Sequence, residues 1–262
     1  MSVYKEILDD FVWSYSRLKL YITCPYAFYR HYICGEDGEQ NYYAANGSLV
    51  HDLFNRVIRG ELPIGALPES YIEEYDYITE TTYKSTMDKT FDSCLSYLCE
   101  IDENILDGYE VIGSEIKQHF SVCGYDFIGF IDLLLKDKST GELVLVDHKA
   151  SSKFLKKNGQ PYANMKESYE SYSIQMYLYC IAIKNTFGKY PAKIVWHHFK
   201  DGSIDVVPFD IKGIENAKNW VLDTLEAIEN DESFECNKSY IMCSQLCDFR
   251  NDCEYKEDQD DE

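Results

Sequence analysis

Apolar and aromatic positions recur first at helical spacing, then in alternation, then at helical spacing again, an order that predicts an α/β fold. "SYSRLKLYITCPYAFYRHYI", residues 14–33, has the helical period but is interrupted at Cys24-Pro25, which predicts two short helices meeting at the proline. "GSLVHDLFNRVIRG", 47–60, predicts a helix opened by Gly47-Ser48 and closed by Gly60. From about 68 to 107 the chain is mostly polar, with Tyr and Leu three or four apart, and a helical insert over the core is expected at about 61–107. The period then changes. Residues 109–150 predict three to four strands in an antiparallel meander, with turns at Cys123-Gly124-Tyr125 and at 138–141. Asp132 is expected near the end of one strand and Asp147 on its partner. A long helix follows at 167–187, then a hairpin around Asp201-Gly202, a helix over 212–229 and a cysteine-rich end. The expected architecture is a central mixed sheet flanked by helices, in one domain spanning 1–262.

Composition narrows the class. At 262 residues and 45% hydrophobic content the chain is globular and long enough to bury a sizeable core. No apolar run approaches the ~18 residues of a membrane span, and "MSVYKEILDD" lacks the order of a signal peptide. A cytoplasmic protein with no membrane partner is therefore expected, and its ten cysteines should serve as metal ligands or small core residues rather than disulfides. A net charge of −21 argues against a broad basic face that coats nucleic acid. It leaves room for a local basic groove and for clustered carboxylates that attract divalent cations. The end, 254–262, reads as an acidic, solvated tail.

The chemistry centres on "GELVLVDHKA". In a strand, Asp147 and Lys149 share a face while His148 points away. The acid-x-Lys tripeptide alone is weak: about 3.5 matches are expected by chance at this composition, and four occur, at Glu115, Asp147, Asp210 and Glu254. Its surroundings carry more. Asp132 ends "GFID" and Asp147 ends "LVLVD", so two carboxylates follow buried runs, where each is costly unless paired or bound to a metal. Exposed strand ends beside Lys136 or Lys149 are the ordinary alternative. His51 lies within the apolar pattern of its helix, where a lone histidine is more often a satisfied surface or core group than a ligand. Gln175 and Tyr179 share a face of the long helix with Tyr172, where tyrosines alone would read as core.

"CSQLCDFRNDC" places Cys243, Cys247 and Cys253 close together, the pattern of a soft-metal or Fe–S site. Cys236 nearby would complete a small zinc knuckle; Cys24 would instead tie the two ends of the chain together.

In this order the motifs resemble the RecB-type branch of the PD-(D/E)XK nuclease superfamily, in the AddB-like and CRISPR-associated exonuclease-like subgroup that carries an Fe–S cluster. The resemblance runs from "SYSRLKLYITCPYAFYRHY" to "CSQLCDFRNDC". It implies a restriction-endonuclease-like core and a nuclease dependent on Mg²⁺ or Mn²⁺. "GSLVH" makes His51 a metal ligand, "GFID" supplies Asp132, and "VDHK" supplies Asp147 and Lys149, with the His148 carbonyl as a further ligand. "QMYLY" gives Gln175 and Tyr179 supporting roles, and Glu115 falls where the family often has an acid. Cys24, Cys243, Cys247 and Cys253 match the split ligands of a [4Fe–4S] cluster in the 236–253 segment. Relatives commonly place two residues between the first pair of C-terminal cysteines; here there are three, which leaves Cys236 open as a substitute. The implied substrate is DNA, single-stranded or with free ends, cut by an exonuclease or flap-trimming enzyme. It would act alone or beside a helicase or recombination partner, as suits a phage or mobile-element protein. Two rival readings are a catalytically silent binding module of the same fold and a zinc-stabilised interaction protein with an acidic surface.

Overall fold

The structure, a computed structural model, describes residues 4–75, 84–102 and 104–255. The N-terminal part holds helices α1 (Lys5–Asp9), α2 (Tyr15–Thr23), α3 (Pro25–Phe28), α4 (Tyr42–Ile58), α5 (Leu67–Glu74) and α6 (Lys84–Glu100). Strands β1 (Tyr109–Val122), β2 (Tyr125–Asp137) and β3 (Leu143–Lys149) follow, then helix α7 (Lys166–Phe187), strands β4 (Lys193–His198) and β5 (Ile204–Pro208), and helix α8 (Ile211–Asn230). The residues of the acidic tail beyond 255 lie outside the described residues, as do 76–83 and 103 of the expected insert.

The break at Cys24-Pro25 is where the sequence places it. Cys24 is extended, closing α2 and opening α3, and Pro25 occupies the first helical position, where its missing N–H costs nothing. α4 differs from expectation: it starts at Tyr42, with the Asn41 side chain accepting a 3.0 Å hydrogen bond from the Ala44 N–H. Asn41 and Ser48 are comparable N-caps, but the capping bond forms at Asn41, so Gly47 lies inside the helix. There a Cβ would meet that of Ala150 at 3.5 Å, an ordinary packing distance, so the position has room for a side-chain carbon.

Residues 109–149 form three strands, within the expected three to four. β1 and β2 join through Cys123 and Gly124, both with positive φ, the backbone of a two-residue hairpin turn. The sheet order is β1-β2-β3-β4-β5, antiparallel except for the parallel β3/β4 pair that α7 connects. Asp132 is not at a strand end; it lies within β2, one residue before the ladder with β3 begins at Leu133.

Alternation along β3 splits the core. Leu143 and Leu145 face a cluster that includes Met176 and Ile183 of α7 and Ala217 and Val221 of α8. Val144 and Val146 face the other way, with Leu133, Leu135 and Ile58. Each fully buried aliphatic side chain stabilises by roughly 1.5–3 kcal/mol. A further cluster packs Leu53 and Phe54 of α4 against Tyr71 of α5, Leu98 of α6 and Phe199. The site lies where α4 and α7 meet the middle of β2 and the end of β3.

Candidate active site and a cysteine cavity

Strand register aligns the acids. β1 pairs Ser114 with Leu133 and Ile116 with Ile131, setting Glu115 opposite Asp132; β2 pairs Leu133 with Val146, setting Asp132 opposite Asp147. Across this rung lies α4, which brings in His51. Its Nε2 is 3.7 Å from Asp132 Oδ2 and its Nδ1 is 3.9 Å from Glu115 Oε1. One ligand atom from each of His51, Glu115 and Asp132 lies within 4.8 Å of the others. His51 Nε2 also lies 2.9 Å from the His148 carbonyl oxygen, and the His148 N–H donates to Asp132 Oδ2 at 2.8 Å. His148 therefore meets the site through its backbone, while its imidazole stacks on Phe54 and Phe199 and bonds His197 on the far side.

Asp147 and Lys149 stand beside this group as an ion pair, Nζ to Oδ2 2.7 Å, with Asp147 almost fully buried. Lys149 donates to Gln175 Oε1 at 3.1 Å, Gln175 donates to the Tyr179 hydroxyl at 3.1 Å, and the Lys149 ammonium sits 4.2 Å from the Tyr172 ring centroid. The i,i+4 spacing on α7 thus turns a tyrosine stripe into a support for one lysine.

The electrostatics follow from the crowding. Burial, with Asp147 adding repulsion, pushes the Asp132 carboxyl up to about 7. Burial alone would lower His51 and Lys149, but Glu115 and Asp132 outweigh it at His51, and Asp147, Tyr172 and Asp132 outweigh it at Lys149, so both are raised. The neighbouring His51 imidazole, and then the Asn55 amide, hold Glu115 below its ordinary value despite partial burial. A desolvated carboxylate rung with an imidazole and a carbonyl oxygen is a donor set that suits a hard divalent cation, so these residues fit the metal that the sequence motifs imply.

Sequence reasoning missed Asn55. Its amide donates to Glu115 Oε1 at 2.9 Å, and Glu115 has positive φ (49°), a conformation unusual for a residue with a Cβ. The signal was available, because Asn55 lies four residues after His51 and so on the same helix face. The tertiary pair His198–Asp205, 3.1 Å apart and buried, was missed as well; nothing local marks it.

The described matching region of one family model, that of the PD-(D/E)XK nuclease superfamily, spans residues 12–254. The chain belongs to this superfamily. Its α/β core, a five-stranded mixed sheet flanked by helices, is the restriction-endonuclease-like core expected of it. Among solved structures, the "Putative exonuclease" of Eubacterium rectale superimposes with a TM-score of 0.53 at 15% identity, covering 98% of this chain and 91% of that one. A second, SSO0001, is more distant, with a TM-score of 0.38 at 14% identity over 96% of this chain and 92% of that one. No curated protein matches the sequence.

A separate cavity of about 280 Å³ is lined by Cys24, Cys236, Cys243, Cys247 and Cys253. All five are free thiols, and Cys24 Sγ lies 3.7 Å from Cys236 Sγ. Burial and the neighbouring sulfurs push Cys236 up, and burial pushes Cys247 up to about 11. Five soft donors from both ends of the chain thus line one cavity, one thiol more than four-fold ligation uses. Cys24 and Cys236 are therefore not alternatives in space, since the fold brings both to one cavity.

Proposed function

We propose that this nuclease-superfamily chain is a deoxyribonuclease dependent on Mg²⁺ or Mn²⁺, acting on single-stranded DNA as an exonuclease or end- or flap-processing enzyme. The observation that carries the reading is the His51–Glu115–Asp132 group beside the buried Asp147–Lys149 pair. In this reading His51, Asp132, Asp147 and the His148 carbonyl hold the cation, with Glu115 as an added acid. A bound divalent ion lowers the pKa of water and offsets charge on phosphate oxygens. Lys149, its pKa raised by Asp147 against burial, is a cation at neutral pH and stabilises charge instead of removing a proton. Gln175 and Tyr179 fix its position.

The cysteine cavity supports a second element of the proposal, a [4Fe–4S] cluster held by Cys24, Cys243, Cys247 and Cys253, with Cys236 beside it. It would tie α2 to the C-terminal segment and so act structurally, within one nuclease unit spanning 1–262. Protein purified without oxygen should then be brown and contain iron and sulfide, and a colourless zinc protein would overturn this element. A cytoplasmic setting and a helicase or recombination partner are consistent with a chain in which, among the described residues, no helix is long and apolar enough to cross a membrane.

Cleavage of end-labelled single-stranded DNA with Mn²⁺, Mg²⁺ or EDTA tests the reading. Wild type should degrade the strand only with metal, and Asp147→Ala should not. Because Asp147→Ala strands a buried lysine, Glu115→Gln at the half-exposed position serves as a folded check with reduced cleavage. Folded, metal-loaded wild type that binds DNA but leaves it intact would replace the proposal with a silent binding module.

A further inference from the structure

Beyond Lys149 the chain makes a hairpin that the metal site does not use. Between Ala150 and Lys166 there are four lysines, Lys153, Lys156, Lys157 and Lys166, and no acid, in a protein of net charge −21. Tyr162 N–H donates to Phe154 O at 2.9 Å and Lys156 N–H to Gln160 O at 2.8 Å, with Gly159 at φ +79° turning the tip. Lys156 and Lys157 are exposed at that tip. Among the described residues neither makes an ion pair. Tyr162 is 37% exposed, and its ring centroid lies 5.8 Å from Lys156 Nζ.

The base of the hairpin is fixed to the site. Phe154 is fully buried and stacks on Tyr172 at 5.6 Å, the same ring that lies against the Lys149 ammonium. Asp205 Oδ2 accepts the Phe154 and Leu155 N–H groups at 2.6 and 3.2 Å. His198 completes this anchor, with Nε2 3.1 Å from Asp205 and Nδ1 3.2 Å from the Ser151 hydroxyl. Anchoring of this kind fixes the tip relative to the reacting position, so little ordering entropy remains for a ligand to overcome.

We infer that the hairpin 154–162 holds a single strand of nucleic acid as it leaves the site, Lys156 and Lys157 engaging phosphates and Tyr162 stacking on a base. The inference rests on the nuclease reading of the site. Phosphate contact needs local cations, which an acidic chain must concentrate in one place. An aromatic ring beside them distinguishes a single strand, whose base faces are free, from a duplex, whose base faces are covered.

Binding of a fluorescent oligonucleotide in EDTA, where no cleavage occurs, tests this across a salt series with the full chain. Lys156→Gln/Lys157→Gln should weaken single-strand binding roughly 10- to 30-fold near 0.1 M salt and reduce the salt slope by about 1.4, two contacts at about 0.7 each. Tyr162→Ala should weaken single-strand binding, leave its salt slope intact and leave duplex binding unchanged. Lys212→Gln/Lys218→Gln, an equal charge change on exposed positions of α8, should bind as wild type. Hairpin variants that bind as wild type, a control that falls equally, or a wild type that binds no single strand would each overturn the inference. Metal-dependent cleavage with unaltered hairpin variants would remove the inference and leave the nuclease; hairpin-dependent binding without cleavage would do the reverse.

Discussion

Asn55 and Glu115 show how much of the site depends on single contacts. Glu115 is half-exposed and its backbone adopts positive φ, so the Asn55 amide supplies the hydrogen bond that sets its carboxylate toward His51. Asn55→Ala should weaken Mn²⁺ affinity 10- to 100-fold, the usual range when a ligand loses its orienting partner. Calorimetric titration with Mn²⁺ reads this, and an unchanged affinity would mean that Glu115 is held by something else. Lys149 carries a different burden. Its removal in Lys149→Met leaves Asp147, 2% exposed, without its counter-charge. Breaking one side of a buried pair costs about 3–5 kcal/mol, so the urea midpoint should fall, and the double variant Asp147→Leu/Lys149→Met should recover most of the loss. A double variant no more stable than the single one would show that the pair is not the source of the cost.

Between elements, two glycines set how closely helices and strands approach. A Cβ at Gly129 of β2 would stand 2.7 Å from Tyr179 Cε1, and one at Gly213 of α8 would fall within 2.4 Å of the Tyr177 ring. Both tyrosines belong to α7, so α7 is packed against the sheet and against α8 through bare backbone on each side. Overpacking of this kind typically costs about 1–3 kcal/mol. Gly213→Ala is expected to lower stability alone, since Tyr177 has no part in the site. Gly129→Ala should do so and also displace Tyr179, which orders Gln175 and, through it, Lys149. Denaturant melts combined with single-strand cleavage rates separate the two; a Gly129→Ala enzyme with lost stability but full activity would show that Tyr179 is not needed to hold the lysine.

For the whole molecule, stability should depend on pH through buried imidazoles as well as through the acidic surface. Burial, then His198 and His51, lower His197 to about 4. Its unfolded value is about 6.5, so between these two values the unfolded chain binds the extra proton. Stability from this group is lost as pH falls from about 6.5 toward 4 and changes no further below that. The loss is on the order of 3 kcal/mol for a shift of this size. Approach to the isoelectric point near 4.6 works in the opposite sense by relieving repulsion among the acids. The comparison is therefore between wild type and His197→Gln, which keeps a hydrogen-bonding group but does not titrate. Thermal midpoints of the variant should fall less between pH 6.5 and 4.5; parallel curves would remove His197 as the cause.

The buried apolar run Leu143–Val146, the period change at residue 109 and the Asp201-Gly202 turn pointed to the mixed sheet and its flanking helices, because apolar runs, side-chain period and turn residues are local properties. Motif order likewise singled out His51, Asp132, Asp147, Lys149, Gln175 and Tyr179. Local reading failed where two comparable local signals competed, as at α4, which starts after the cap at Asn41 instead of at Gly47-Ser48. What only the tertiary structure decided is a matter of register and contact between distant segments. Glu115, Asp132 and Asp147 share a rung because three strands pair in one particular offset. Cys24 and Cys236 reach one cavity across 212 positions, and Asp205 reaches the hairpin across 50. Such pairings depend on how the helices and sheet pack in three dimensions, and no spacing within a single element encodes them.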